Sequence, residues 1–207
     1  MIEWLRPLST LDIRNSQITN RAVLKPQDLL VTLKLASLSG DVPMTFAALA
    51  ATLSMSASEV FAATKRAATC HLLVEQPAPA SGAARYRPAA TNLREFLISG
   101  IRYVFPAEPG KAGRGFRTAQ DAPPLATQIV RPPGEMPLVW PHPDGDTRGL
   151  SIKPIFRSAP DAARRDPRLF VWLALADALR TGDARVRTLA AAEVGKLVSE
   201  LDHARIR

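Results

Sequence analysis

Leu53-Ser54-Met55-Ser56-Ala57-Ser58-Glu59-Val60 is the stretch on which the fold turns. Ser56 and Glu59 stand three apart, the S-x-x-E spacing in which serine and glutamate each satisfy a backbone donor at a helix start. The residues before it, Ser54-Met55, interrupt an apolar run and read as a short break between two helices. The helix that Ser56 opens extends to about His71, with Val60, Ala63 or Thr64, and Ala67 turned inward at helical spacing.

Upstream, Phe46, Leu49, Ala50 and Leu53 repeat at the same period, which predicts a helix from Thr45 to Leu53. An earlier helix begins at Pro26, a residue suited to a first helical turn. Asp28 favours its positive end. Leu29, Leu30, Leu33, Ala36 and Ser37 trace its buried face, and Gly40 follows as a stop. Downstream, Leu72-Leu73-Val74-Glu75 and Ala84-Arg85-Tyr86-Arg87 flank a Pro-, Ser- and Gly-containing turn, as two hairpin strands do. A further helix fits Asn92 to Val104, capped by Thr91 or Asn92, with Leu93, Phe96, Leu97, Gly100, Ile101 and Val104 as its stripe. Pro106 ends it.

Helix, helix, short turn, capped helix and hairpin is the order of a winged helix-turn-helix. The segment Leu53–Val60 resembles the turn and recognition-helix start of MarR-like and related winged-helix regulators, and the resemblance covers about Pro26 to Pro88. The C-terminal half does not resemble the MarR helical dimer arrangement, so the likeness is to the superfamily. It implies a bacterial DNA-binding regulator of transcription, most simply a repressor, and not an enzyme. A recognition helix enters the major groove, where base edges present distinguishable donors and acceptors. Its N-terminal residues reach the bases. Here these are Ser56, Ser58, Glu59, Phe61 and Ala62, with Lys65 and Arg66 further along near phosphate. Arg85 and Arg87 alternate on one strand, so they share a face of the wing, where arginine touches backbone or a narrow minor groove. Comparable regulators carry Arg, Asn or Gln in mid-helix, where this chain has Phe61-Ala62-Ala63. Base readout is then sparse, or Phe61 and Ala62 make apolar contact with thymine methyls. The rival function is an antitoxin-like or defence-system module whose winged helix binds protein.

Charge agrees with a polyanionic partner. The 207 residues carry a net charge of +8. The excess is +4 in residues 1–105 and +4 in 106–207, so there is no basic tail. The organisation expected is an N-terminal extension (1–25), a winged-helix domain with its trailing helix (26–105), and a wrapping segment with a helical hairpin (106–207). The fold class is mainly α with a small β-wing. Eight of 18 prolines fall between Pro106 and Pro141, which predicts extended chain and turns, with a strand near Leu150 to Phe156. Asp166-Pro167 opens a helix that is apolar nearly all round. Gly182-Asp183 turns the chain into a last helix with Val186, Leu189, Ala190, Val194, Leu197, Val198 and Leu201 as its stripe.

Several sites are set aside. Gly110-Lys111-Ala112-Gly113-Arg114-Gly115 lacks phosphate-loop spacing and reads as a flexible basic loop. His142, Asp144 and Asp146 sit in turn chemistry and form no metal motif. Cys70 and His71 are helix neighbours that do not face each other, so Cys70 reads as a small buried residue. No cofactor is expected. No basic region followed by an apolar run opens the chain, and no apolar stretch reaches the roughly 20 residues a bilayer requires, so a soluble cytoplasmic protein is expected. The partners expected are duplex DNA and a second copy of the chain, with no membrane and the small-molecule effector unspecified. The stripes at Leu93–Ile101 and Leu189–Leu201 are the candidate dimer surfaces; the alternative is that both pack inside one monomer.

Overall fold

The computed structural model describes residues 23–38, 44–76 and 86–204. Gly40, the Ser81-Gly82 turn, Arg85 and the N-terminal extension up to residue 22 lie outside them.

The fold is organised around its first helix, α1 (Pro26–Ser37). Leu29, Leu30, Val31 and Leu33 are fully buried, so the helix runs through the interior rather than along a surface. Such a rod must satisfy every polar group it carries. Asp28, also fully buried, accepts the Lys25 backbone N–H at 2.9 Å and a fork from Arg66. Lys34 and Ser37, at the other end, donate to Asp166 at 2.6 and 2.9 Å.

The helix α2 (Phe46–Leu53) starts where Thr45 accepts the Ala48 N–H. It ends at Ser54, whose left-handed backbone (φ 53°) turns the chain. Ser56 then caps α3 (Ala57–Thr69), accepting the Glu59 N–H at 3.2 Å. The two helices meet at 100°. Val60, Ala63, Thr64 and Ala67 form the inner face of α3, and Leu49, Ala50 and Leu53 that of α2. Strands β1 (Leu73–Glu75) and β2 (Tyr86–Pro88) pair antiparallel, with Val74 opposite Arg87 and Glu75 opposite Tyr86.

Helix α4 (Ala90–Glu95) begins two residues before the expected start, and Asn92 does not cap it. Its side-chain amide donates instead to the His71 carbonyl at 2.9 Å, tying the helix to the end of α3. A π-helical turn (Phe96–Gly100) leads into α5 (Ile101–Val104).

Residues 106–158 are extended chain and turns as expected, but they correct the flexible loop expected at Gly110–Gly115. The Gly110–Gly115 segment is largely strand: β3 (Ala112–Arg117) pairs antiparallel with β4 (Leu138–Pro141) and with β5 (Thr147–Ser151). β4 and β5 pair in parallel and close a three-stranded barrel. Glycine makes so tight a closure possible. A Cβ on Gly115 would lie on the Trp140 carbonyl oxygen, and one on Gly149 on that of Pro137. The strand expected at Leu150–Phe156 is β5, displaced toward the N-terminus.

Three helices follow: α6 (Ala159–Arg165), which sequence reading missed, α7 (Pro167–Thr181) and α8 (Ala184–Ala204). Asp166 caps α7 by accepting the Arg168 and Leu169 N–H groups, and Asp183 accepts Val186 N–H at the start of α8. Asp177 of α7 is buried under the barrel. It accepts from Trp140 Nε1 at 2.5 Å and Thr118 Oγ1 at 2.8 Å, and pairs with Arg180 at 2.7 Å.

Of the residues expected at a dimer surface, Leu93, Leu97 and Ile101 are covered within the chain, whereas Phe96, Leu189, Leu197 and Leu201 are only partly buried. Leu93 and Leu97 are fully buried and Ile101 nearly so. Val186, Ala190, Val194 and Val198 of α8 are buried in the same core, and α8 packs on α4 as well as on α7. Among the described residues, no single helix is long and apolar enough to cross a membrane; α2 and α3 meet that measure only together, as the bent pair.

Candidate nucleic-acid interface

Because Val60, Ala63, Thr64 and Ala67 face inward, the outward stripe of α3 is Ser58, Phe61, Lys65 and Thr69, all exposed, with Ala62 half-buried at its edge. Ser56 and Ser58 place their hydroxyls 3.1 Å apart at the exposed start of the helix, and Glu59 lies half-buried beside them. Phe61 is 42% exposed. Its ring meets Phe46 of α2 edge-on, with centroids 5.4 Å apart, and Phe46 in turn lies against Tyr86 of β2. Lys65 Nζ sits 5.1 Å above the Phe61 ring, within cation–π range. An ammonium and an aromatic face therefore project side by side.

Arg66 points elsewhere. It grips Asp28 of α1 through Nε at 2.9 Å and a terminal nitrogen at 2.6 Å. That hydrogen-bonded carboxylate holds the guanidinium above its ordinary pKa. A bidentate pair with a fully buried acid is a structural bond, and in this structure it turns Arg66 back onto α1. Arg87 is half-buried on β2 opposite Val74. Arg85 is outside the described residues, so the shared face expected of the two is not described.

The structure adds basic residues that sequence reading missed. Arg165 of α6 donates to Ser54 Oγ at 2.8 Å and to the Thr52 carbonyl at 3.3 Å. Its neighbour Arg164 stacks over Phe116 at 4.8 Å and pairs with Asp144 at 3.2 Å. Ser54, Asp161, Arg164 and Arg165 line an open cleft of about 400 Å³ beside the start of α3. The Asp166-Pro167 cap was the available clue, since a helix beginning there leaves Ala162-Ala163-Arg164-Arg165 to end an earlier one.

The remaining polar candidates have structural partners. His142 Nδ1 accepts the Asp144 N–H at 3.1 Å, which places the ring proton on Nε2, 3.2 Å from Asp161. Among the described residues no group of three or more His, Cys, Asp and Glu could hold a metal ion. Cys70 ends α3, and burial pushes its thiol pKa up, away from the thiolate that redox chemistry uses. Between α1, α7 and α8 lies an apolar cavity of about 280 Å³ against Ala36, Val171, Trp172 and Leu197. Comparison with protein-family models, curated proteins and solved structures found no match.

Proposed function

We propose that this protein binds duplex DNA through a winged helix-turn-helix and regulates transcription from it. The observation that carries the proposal is the setting of α3. It meets α2 at 100° across a three-residue turn, its inner face is buried, and a strand pair follows it directly. That angle and turn length are those of helix-turn-helix units. The exposed stripe Ser58–Phe61–Lys65–Thr69 is then the surface that faces the major groove. The net charge of +8 supplies the field that attracts DNA.

Binding of this kind weakens with salt, by a log–log slope of roughly 0.9 for each phosphate neutralised. Gel shifts on random-sequence duplex from low to physiological salt should show that slope. Replacing Lys65 by alanine should lower it by about 1, and replacing Arg85 and Arg87 together by about 2. Absence of any shift at low salt sinks the proposal. An unchanged slope in the Arg85/Arg87 variant removes the hairpin from the interface.

The working form in this proposal is a homodimer, because two-fold symmetry matches palindromic sites with half-sites roughly 34 Å apart. Light scattering at micromolar concentration should report twice the chain mass of 22.4 kDa. A monomeric mass removes the dimer and leaves DNA binding standing.

A further inference from the structure

We propose that α3 identifies its site by the C5-methyl group of pyrimidines in the major groove, thymine in ordinary DNA, with Phe61 as the reading side chain. The proposal rests on the DNA-binding function above and specifies its chemistry.

The argument is one of what the outward face can offer. Guanine is read by an Arg or Lys fork and adenine by an Asn or Gln amide. Helix α3 contains no Asn or Gln, and its one arginine, Arg66, is bound to the fully buried Asp28. Lys65 is held over the Phe61 ring, and its ammonium lacks the planar fork with which arginine grips a base edge. The outward groups left at the front of the helix are two serine hydroxyls, the Phe61 ring, the half-buried Ala62 methyl and the half-buried Glu59 carboxylate, which as an acceptor answers a cytosine amino group. The hydroxyls bond at either base type, so they do not discriminate. An apolar surface discriminates by one major-groove feature, the thymine methyl.

The ring is also held for the task. An exposed aromatic with no neighbours would swing between rotamers and lose entropy on binding. Phe61 is fixed edge-on by Phe46, which Tyr86 supports from β2, and 42% of the residue remains exposed. A pre-set apolar surface binds a methyl with little further ordering cost. The same methyl is carried by 5-methylcytosine, so the chemistry is shared between an A·T pair and a methylated G·C pair.

The test uses the full chain and four duplexes of about two helical turns. They are alternating A·T, its deoxyuridine counterpart, alternating G·C, and its 5-methylcytosine counterpart. Deoxyuridine removes the methyl and keeps every hydrogen-bonding group. Each methyl buried at the interface should improve affinity roughly fourfold. The wild-type protein should therefore prefer the methylated member of at least one pair, and the pair that shows the preference identifies the source. In Phe61→Ala the preference should vanish, and Phe61→Leu should restore part of it. Circular dichroism confirms that the exposed substitution leaves the fold intact. No preference in either pair overturns the proposal, as does a preference that survives Phe61→Ala. Failure to bind any of the four duplexes at low salt overturns DNA binding itself, a separate and recognisable result.

Discussion

Replacing Arg180 with methionine should lower the stability of the protein by about 3–5 kcal/mol, because it strips a buried carboxylate of its counter-charge. The side chains of Arg180 and Asp177 are only 4% and 2% exposed, so solvent offers no substitute. Arg180 also donates to the Lys153 carbonyl at 2.9 Å, which ties the chain just after β5 to α7. For a chain of this length the loss corresponds to a fall in Tm of roughly 6–20 °C.

The defect carries a pH signature. Burial pushes the Asp177 carboxyl up from its ordinary range, and Arg180, Thr118 and Trp140 pull it back. Removing Arg180 leaves it higher still. A carboxyl raised in the folded state holds a proton that the unfolded chain releases, so its contribution to stability is full at low pH and is lost as pH rises. The gap between variant and wild type should therefore narrow on acidification from about pH 7 to pH 5. Asp177→Asn in the same background should recover part of the loss at neutral pH, since its carbonyl still accepts from Trp140 and Thr118. Denaturant titration at the two pH values checks both points. A gap that widens in acid contradicts the assignment.

Arg66→Ala should cost about 3 kcal/mol, again by leaving a buried acid, Asp28, without its cation. Arg66→Lys should recover only part of that, because an ammonium cannot form the two-pronged bond. The informative comparison is with DNA. If Arg66 supports α3 from behind, the variant should show lower Tm and an unchanged salt slope below its melting point. A slope reduced by about 1 would return Arg66 to the phosphate backbone.

These two residues show where sequence is legible and where it is not. Helix starts are local chemistry, so Ser56, Asp166-Pro167 and Asp183 mark α3, α7 and α8 within a residue. Strand β3 was hidden because glycine ordinarily argues against a strand. Gly115 is there for closeness to the Trp140 carbonyl, a neighbour 25 positions on that no local pattern reveals. The stripes at Leu93–Ile101 and on α8 mark burial only in part, since Val104 is exposed and Leu189, Leu197 and Leu201 are half-buried, and periodicity does not name what covers a face. The fate of Arg66 was invisible for a related reason. Its partner stands 38 residues away on another helix, and a basic residue on a helix looks alike in sequence whether it turns outward or back. That Ser58, Phe61 and Lys65 are exposed is readable because Val60, Ala63 and Ala67, the inward positions on the same helix, are apolar.

Asp166 has a consequence for how the molecule breathes. One carboxylate closes the first turn of α7 and also receives Lys34 and Ser37 from α1. Burial pushes its pKa up, but the bonds from Lys34, the Leu169 backbone and Ser37 outweigh this and hold it below the ordinary carboxylate range. Separating α1 from α7 would therefore leave Lys34 and one oxygen of Asp166 without their partners, while the other oxygen stays on the α7 cap.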